Sequence, residues 1–248
     1  MKSISKCEIE AYKKTGALVV RDVIPIKLLE DLLNFLQNEY SIQSDIKGGF
    51  EEIVKALDRT DPSKLYKIHT STSKRDIFSS IEKELSGIFL QLLESSSYDL
   101  VSNQASYLLG LPKDKRLVYN WHQECNYMKT VRPIITAQYP INQGTCPENG
   151  AMSYLSKSTH LGELKYEKQA KDNPNGYTSL VPVNIKELEI QFQTEQPSLS
   201  LGDCLFFDEY CIHKSNFNST NNLRTTGIFR VTSQQSAKDF IPFKGVEL

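Results

Sequence analysis

The sequence has 248 residues, which is long enough to form a full hydrophobic core, and we expect one domain over residues 1–248. Hydrophobic residues make up 39% of the chain and charged residues 24%, as in globular proteins and unlike disordered or fibrous ones. The 29 basic and 30 acidic residues give a net charge of -1. The chain therefore lacks the positive field that attracts nucleic acid, and a small-molecule partner is favoured.

The cysteines and the apolar runs indicate the compartment. The five cysteines are scattered and include no Cys-x-x-Cys pair, so the sequence indicates neither a disulfide framework nor a zinc knuckle. The N-terminus has no apolar signal-peptide core, and no run of about 18 apolar residues occurs. We therefore expect a cytoplasmic protein without a membrane-spanning segment.

Helical periodicity is confined to residues 1–103, which we expect to be mostly helical. Apolar residues recur on one face over residues 26–40, after Pro25, and again over residues 77–92. Residues 17–20 are typical of a short strand, and the polar run 58–64 is typical of a loop. The helices of this portion are expected to support a core that the rest of the chain forms.

From residue 104 to residue 235 the pattern changes to short apolar or alternating runs, which predict strands. The runs are residues 105–109, 117–121, 134–139, 188–192, 204–207 and 227–231. Turn residues such as Asn149 and Gly150 separate them, and residues 165–175 are typical of a charged loop. The sequence therefore predicts a mainly β fold with flanking helices, built as a double sheet or barrel.

His122 and Glu124 form a His-x-Glu pair that suits a metal ion. If the strand that contains Trp121 continues through Glu124, the two side chains point to the same face, because side chains in a strand alternate. His213, after the apolar run 204–207, can supply a second imidazole from a distant strand. Two histidines and one carboxylate leave the opposite face of the ion for substrates, as in non-haem iron oxygenases.

Arg224 lies eleven positions after His213 and is expected on the next strand, beside the metal. The planar fork of arginine binds carboxylates bidentately, so Arg224 suits the distal carboxylate of a dicarboxylic cosubstrate. Ser215 and Thr226, each two residues beyond one of these positions, can add hydroxyl donors. One alternative is that Arg224 is a surface arginine after the polar loop 216–222. Arg230, in the last predicted strand, takes its place if the register is shifted.

Four parts of the sequence resemble the phytanoyl-CoA dioxygenase family in order and spacing. They are Tyr119-Asn120-Trp121-His122-Gln123-Glu124, Glu148-Asn149-Gly150-Ala151-Met152, Leu201-Gly202-Asp203-Cys204-Leu205-Phe206-Phe207, and the pair His213 and Arg224. Residues 16–23, followed by an amphipathic helix, are also similar to the opening of that family. The resemblance covers residues 8–232, although the middle helices and the loop after Leu161 match poorly.

The resemblance implies a double-stranded β-helix, or jelly roll, that binds Fe(II) and 2-oxoglutarate. The implied iron ligands are His122, Glu124 and His213. Arg224 and Ser215 are implied to bind the distal carboxylate of 2-oxoglutarate, with Tyr119 beside it. The implied activity is the O2-dependent oxidation, by default hydroxylation, of a C–H bond in a small molecule, with release of succinate and CO2.

Glu124 is the main departure from the family, which normally has aspartate in this motif. Related halogenases have alanine or glycine there, so Glu124 disfavours that chemistry. Because glutamate is one methylene longer, an alternative is a jelly-roll binding or regulatory protein that has lost turnover. A cupin-like metal isomerase would need further histidine ligands, and the sequence has four histidines in all.

The sequence also gives expectations for the two remaining histidines and for the substrate. His160 is expected to have a structural role, and His69 is expected on the surface. The sequence leaves a small polar metabolite and a lipid or acyl thioester both open as substrates. The absence of a long apolar stripe or a basic nucleotide-binding patch favours a small metabolite.

Overall fold

The structure, a computed structural model, describes residues 2–116, 118–128, 132–169 and 178–233. Its α-helices are α1 Lys6–Thr15, α2 Ile26–Ser44, α3 Phe50–Thr60, α4 Pro62–Thr72, α5 Arg75–Leu92 and α6 Ile185–Gln191. Its strands are β1 Ala17–Val20, β2 Tyr98–Gly110, β3 Ile135–Pro140, β4 Ser153–Leu155, β5 Tyr166–Gln169, β6 Ser179–Pro182, β7 Thr194–Glu195, β8 Cys204–Asp208, β9 His213–Lys214 and β10 Arg224–Ser233. None of the described helices has the length and apolar character needed to cross a membrane.

Local sequence signals determine where the first helices begin and end. Ser5 caps α1 in a capping box with Glu8, and Gly16 ends it in the left-handed conformation at φ 81°. The backbone N–H of Asp61 closes the last turn of α3, while its side chain accepts a hydrogen bond from the first turn of α4. The prediction of a loop over residues 58–64 was therefore wrong, because the polar residues there form helix ends and a cap.

The main sheet has five strands in the order β1-β8-β3-β10-β2, and all neighbouring strands are antiparallel. Its outer face packs against the helices. The ring of Phe89 in α5 contacts Phe206 of β8 and Phe229 of β10, with ring centroids 5.9 and 6.2 Å apart. This apolar layer is the main core, and it leaves the other face of the sheet free to form a site.

The inner face of the main sheet is more polar than the outer face. Because side chains alternate along a strand, Thr226, Ile228 and Arg230 of β10 share this face, and Thr136 of β3 lies directly opposite Arg230. A second sheet, in the order β7-β4-β9, packs against it through a small apolar cluster that includes Phe207 of β8. The two antiparallel sheets form the predicted jelly roll, with the polar interior between them.

Several strands are confirmed where the sequence predicts them. The predicted strands 17–20, 134–139, 204–207 and 227–231 correspond to β1, β3, β8 and β10, and residues 105–109 lie within β2. The main sheet also includes strands from the portion that was predicted to be mostly helical, residues 1–103. Strand β1 forms one edge of the sheet, and β2 begins at Tyr98. The predicted charged loop 165–175 begins instead with β5, which pairs with β6, and residues 170–175 lie outside the described residues.

Two predicted strands were wrong. Residues 188–192 lie mainly in α6, where Ile185 and Leu188 pack near Trp121 while Ile190 is 88% exposed. Every second residue is apolar there, but the buried residues are three apart, which is the spacing of a helix face. In the described part of the other predicted strand, residues 118–121, no strand forms.

Candidate metal centre

A single β-bridge brings His122 and His213 together. The backbone N–H of each histidine donates to the carbonyl oxygen of the other, with N···O distances of 2.9 and 3.0 Å. Their ring centroids are 4.1 Å apart, and the ring of Tyr119 lies 5.6 Å from that of His122. Both histidines are buried, so two imidazoles from distant parts of the sequence share one dry position inside the jelly roll.

The backbone around each histidine selects its tautomer. Nδ1 of His122 lies 2.7 Å from the carbonyl oxygen of Asn120, and Nδ1 of His213 lies 2.9 Å from that of Cys211. Because a carbonyl oxygen can only accept a hydrogen bond, each Nδ1 is the donor, and Nε2 is the ring nitrogen left to bind a metal. Two oriented Nε2 atoms are the donors that a metal ion requires, and such hydrogen bonds hold the rings in place.

Glu124 joins the histidines by a different backbone from the predicted one. It begins a short 3-10 helix, Glu124–Asn126, so the proposed alternation along a continuous strand was wrong. The turn nevertheless carries its carboxylate inwards, and Oε1 lies 3.7 Å from Nε2 of His213. One ligand atom from each of His122, Glu124 and His213 lies within 4.8 Å of the other two, and all three residues are buried.

The protonation states of this group suit a metal. Burial, followed by the neighbouring His213, lowers the pKa of His122 to about 3, so its imidazole is neutral at physiological pH. Burial by itself raises the pKa of the Glu124 carboxyl, but the Arg230 guanidinium and the neighbouring His213 together outweigh burial and hold that pKa well below its usual value. A neutral imidazole and an ionised carboxylate are the forms that bind metals.

Arg230 lies beside this group and pairs with Glu124. Its Nε and Nη2 atoms donate to Oε2 and Oε1 of the carboxylate, both at 2.9 Å. Arg230 was the alternative prediction for the arginine that binds the cosubstrate, in case the register was shifted. The structure instead places its guanidinium on the carboxylate of the candidate metal-ligand group, which consists of His122, Glu124 and His213. Arg224 is the first residue of β10.

Two antiparallel chain segments lead from the histidine bridge to Arg224. Next to the bridge, the N–H of Ser215 donates to the carbonyl oxygen of Tyr119 at 3.0 Å. One residue further along each segment, Val118 and Asn216 line a small cavity together with Arg224. The two segments therefore have the bridge between His122 and His213 at one end, Tyr119 and Ser215 in the middle, and Arg224 at the other end.

The guanidinium of Arg224 has no anionic partner among the described residues. Its Nη1 donates to the carbonyl oxygen of Gly150, while its buried Nε has no hydrogen-bond partner there. Asp114 lines the same cavity, but its carboxylate is paired with Arg116. The hydroxyl of Thr226 on the same strand is also buried without a partner in the described chain. Buried donors of this kind need an acceptor, and an arginine selects an anionic one.

Burial and a glycine set the position of Arg224. Burial lowers the pKa of its guanidinium to about 10, so the group still carries its charge at neutral pH. A Cβ atom at Gly110, which pairs with Arg224 across the sheet, would lie 2.8 Å from both Nε and Nη2. Only a residue without a side chain lets the guanidinium lie across β2 in this way.

Two other histidines lie outside the centre. His160 is exposed, and its Nε2 lies 3.0 Å from the carbonyl oxygen of Lys14 at the end of α1, in keeping with the predicted structural role. His69 was predicted on the surface, but it is half-buried and its Nε2 lies 2.7 Å from the carbonyl oxygen of Tyr107 in β2. It packs against the sheet because α4 covers the outer face there.

Three features of the site were not predicted from the sequence. Nothing in it indicated that Arg230 pairs with Glu124, since the two residues are distant in sequence and their contact depends on the fold. The role of Gly110 carried a weak signal, because a glycine at the end of an apolar strand often marks the close approach of another group. The carbonyl groups of Asn120 and Cys211 carried none.

The fold and this site define a class of protein, namely a jelly roll with a buried His-Glu-His group of metal-ligand character. Solved structures share this fold at low sequence identity. EctD from S. alaskensis with bound Fe has a TM-score of 0.66 and 16% identity, over 94% of this chain and 78% of that chain. The non-heme alpha ketoglutarate dependent carbocyclase SnoK from nogalamycin biosynthesis has a TM-score of 0.64 and 17% identity, over 98% of this chain and 88% of that chain. The epimerase SnoN, in complex with Fe3+, alpha ketoglutarate and nogalamycin RO, has a TM-score of 0.62 and 15% identity, over 92% of this chain and 83% of that chain.

The sequence itself gives the family. The profile of the family described as Phytanoyl-CoA dioxygenase (PhyH) matches residues 12–226. None of the curated proteins compared with this chain matches it. The match covers most of the chain, so the protein belongs to the phytanoyl-CoA dioxygenase family and is a non-haem iron, 2-oxoglutarate-dependent oxygenase.

Proposed function

We propose that the chain oxidises a C–H bond of a small-molecule substrate, by default through hydroxylation. In the overall reaction, 2-oxoglutarate, O2 and the substrate give succinate, CO2 and the hydroxylated product. The proposed Fe(II) ligands are His122, Glu124 and His213. The proposed 2-oxoglutarate residues are Arg224, Ser215, Tyr119 and Thr226.

One arrangement carries this proposal. A buried group with two oriented Nε2 atoms and a carboxylate lies at one end of a pair of antiparallel segments. At the other end lies Arg224, a buried cation that lacks an anionic partner in the described chain. We propose that a dicarboxylic acid binds the metal with one end and Arg224 with the other. The donor set, two nitrogens and one oxygen, suits Fe(II) and leaves room for further ligands.

Each part of the chain has a definite task in this reaction. Bound Fe(II), with 2-oxoglutarate and O2, supplies the oxidising power that no side chain has. The buried histidines and Glu124 hold the metal away from bulk water, and Asn120 and Cys211 fix the imidazole rings. Arg224 binds the distal carboxylate, so that the keto acid end points towards the metal.

The substrate is proposed to be a small polar metabolite. The inner face of the main sheet, which faces the jelly-roll interior, has both polar and apolar side chains, including Thr136, Gln138, Thr226, Leu108 and Ile228. Leu108, in the edge strand β2, is 37% exposed, and we propose that substrate enters the interior from this edge. A mixed lining of this kind favours a small polar molecule with an apolar part over a long acyl chain.

The proposal is tested with the metal-loaded protein. Under anaerobic conditions, Fe(II) and 2-oxoglutarate together are expected to give a weak visible absorption band that neither gives alone. Admission of O2 is then expected to produce succinate, and Zn(II)-loaded protein serves as the inactive control. If the band does not form with fully loaded protein, the proposed metal and cosubstrate sites are wrong.

A second candidate is a binding or regulatory protein that has kept the fold and lost turnover. The pairing of both Glu124 oxygens with Arg230 favours it, since this carboxylate is already engaged. In that case metal and 2-oxoglutarate bind and the band forms, but O2 produces no succinate. Succinate formation in proportion to O2 consumption eliminates this candidate.

Gly110 gives a test of the cosubstrate end of the site. Gly110→Ala places a Cβ atom in contact with the Arg224 guanidinium, so we expect the apparent KM for 2-oxoglutarate to rise about tenfold, as expected for one weakened charge-assisted hydrogen bond. Steady-state succinate formation measures it. Gly49→Ala is the matched control, because its nearest contact is the exposed Glu52 side chain at 3.8 Å. An unchanged KM in Gly110→Ala contradicts the assignment of Arg224.

A further inference from the structure

Arg230 and Glu124 form a bidentate ion pair at the centre, and the proposed function gives this pair no role. Both guanidinium donors lie 2.9 Å from carboxylate oxygens, and the Glu124 side chain is only 3% exposed. Bidentate pairs of this kind are short, directional and stable when buried. A buried carboxylate without a cation is costly, so this arginine supplies the charge that balances Glu124.

The same carboxylate oxygen serves two neighbours. Oε1 of Glu124 accepts from Nη2 of Arg230 at 2.9 Å, and it is also the oxygen that lies 3.7 Å from Nε2 of His213. A metal ion held by Glu124 and His213 would lie against this oxygen. The guanidinium and a divalent metal are therefore two cations that compete for one carboxylate, and their charges repel each other at this short range.

We infer that Arg230 is the counter-ion of the metal-free centre. It neutralises the Glu124 carboxylate until a metal arrives, then gives up Oε1 to the metal and keeps Oε2. This inference rests on the proposed function, since it takes the His122, Glu124 and His213 group as the metal site. It has two consequences of opposite sign, because Arg230 stabilises the metal-free fold and weakens the binding of a divalent metal.

Mn(II) binding and thermal unfolding test the inference together. The variants are Arg230→Met, which keeps the length of the stem and removes the charge, and Arg230→Lys, which keeps the charge and removes the fork. For Arg230→Met we expect a lower Tm without metal and a Kd for Mn(II) that is lower by about tenfold, because the competing charge is gone. The rise in Tm on saturation with Mn(II) is expected to exceed that of the wild type. For Arg230→Lys we expect a Tm and a Kd for Mn(II) between those of the wild type and Arg230→Met.

The control separates competition from a general loss of stability. Arg116→Met removes another partly buried arginine, which pairs with Asp58 and Asp114 and is not among the residues proposed to bind the metal or 2-oxoglutarate. We expect it to lower the Tm equally with and without Mn(II), and to leave the Kd unchanged. Isothermal titration gives the Kd, and calorimetric scans of the same samples give the Tm.

The outcomes distinguish this inference from the proposed function. If Arg230→Met binds Mn(II) as weakly as the wild type or more weakly, the inference is overturned and the metal centre stands. If the wild type binds no Mn(II), the proposed metal centre fails and the inference fails with it. If Arg230→Met does not fold, Arg230→Lys decides, since a Kd for Mn(II) no lower than that of the wild type overturns the inference.

Discussion

His213→Ala is expected to reduce succinate formation from 2-oxoglutarate by roughly a thousandfold or more, since metal-ion catalysis contributes several kcal/mol to such reactions. The variant removes one of the two oriented Nε2 atoms from the buried group. The remaining His122 and Glu124 offer only two ligand atoms, which hold a metal less tightly. Metal analysis of the purified variant, with succinate measured at saturating Fe(II), checks both effects.

The matched control for this variant is His160→Ala. His160 is exposed and lies against the carbonyl oxygen of Lys14, outside the metal-ligand group. We expect its succinate formation to stay within about twofold of the wild type, because surface substitutions change stability by only about 0.5 kcal/mol. Substantial turnover by His213→Ala, with normal metal content, would show that His213 does not hold the metal.

The second large effect is expected for Arg224→Met. Loss of the guanidinium leaves the distal carboxylate of 2-oxoglutarate without its cation, and we expect the apparent KM to rise roughly a hundredfold, or about 3 kcal/mol, as for a lost hydrogen-bonded charge. At saturating 2-oxoglutarate, kcat should change far less, because this residue acts by binding. Initial rates over a wide range of 2-oxoglutarate concentrations separate the two parameters.

Two further variants make the Arg224 result decisive. Arg224→Lys keeps the charge and loses the fork, so we expect an intermediate KM. Arg230→Met tests the shifted register, in which Arg230 binds the cosubstrate. A large rise in KM for Arg230→Met together with an unchanged KM for Arg224→Met would assign the cosubstrate to Arg230 and contradict the pairing of roles proposed for the two arginines.

The sequence predicted which residues meet in the metal-ligand group, but not how the backbone brings them together. The motif His122 to Glu124 and the later His213 point to one site because two imidazoles and one carboxylate are the donors of a two-histidine, one-carboxylate iron site. The prediction assumed an extended strand through Glu124, whereas this residue begins a 3-10 helix. A side chain as flexible as glutamate reaches the same place from either backbone, so the site could be predicted without its local structure.

Other parts of the structure depend on contacts that no local pattern reveals. Ile190 and Leu188 are both apolar, and only the packing of α6 decides that one is exposed and the other buried. Asp61 is a polar residue in a polar run, yet it connects two helices directly. The fork between Arg230 and Glu124 joins β10 to a distant turn, and it exists only once the sheet has formed. Long-range contacts of this kind lie beyond periodicity and spacing.

The bridge between His122 and His213 joins residues that are 91 positions apart in the sequence, counted from 122 to 213. A contact of such long sequence separation closes a long loop, and the entropic cost of that closure must be met before the contact contributes to stability. We therefore expect the two imidazoles to meet only when the jelly roll is nearly complete. Iron would enter an already folded chain rather than guide its folding, so the refolding rate of this protein should not depend on the concentration of metal.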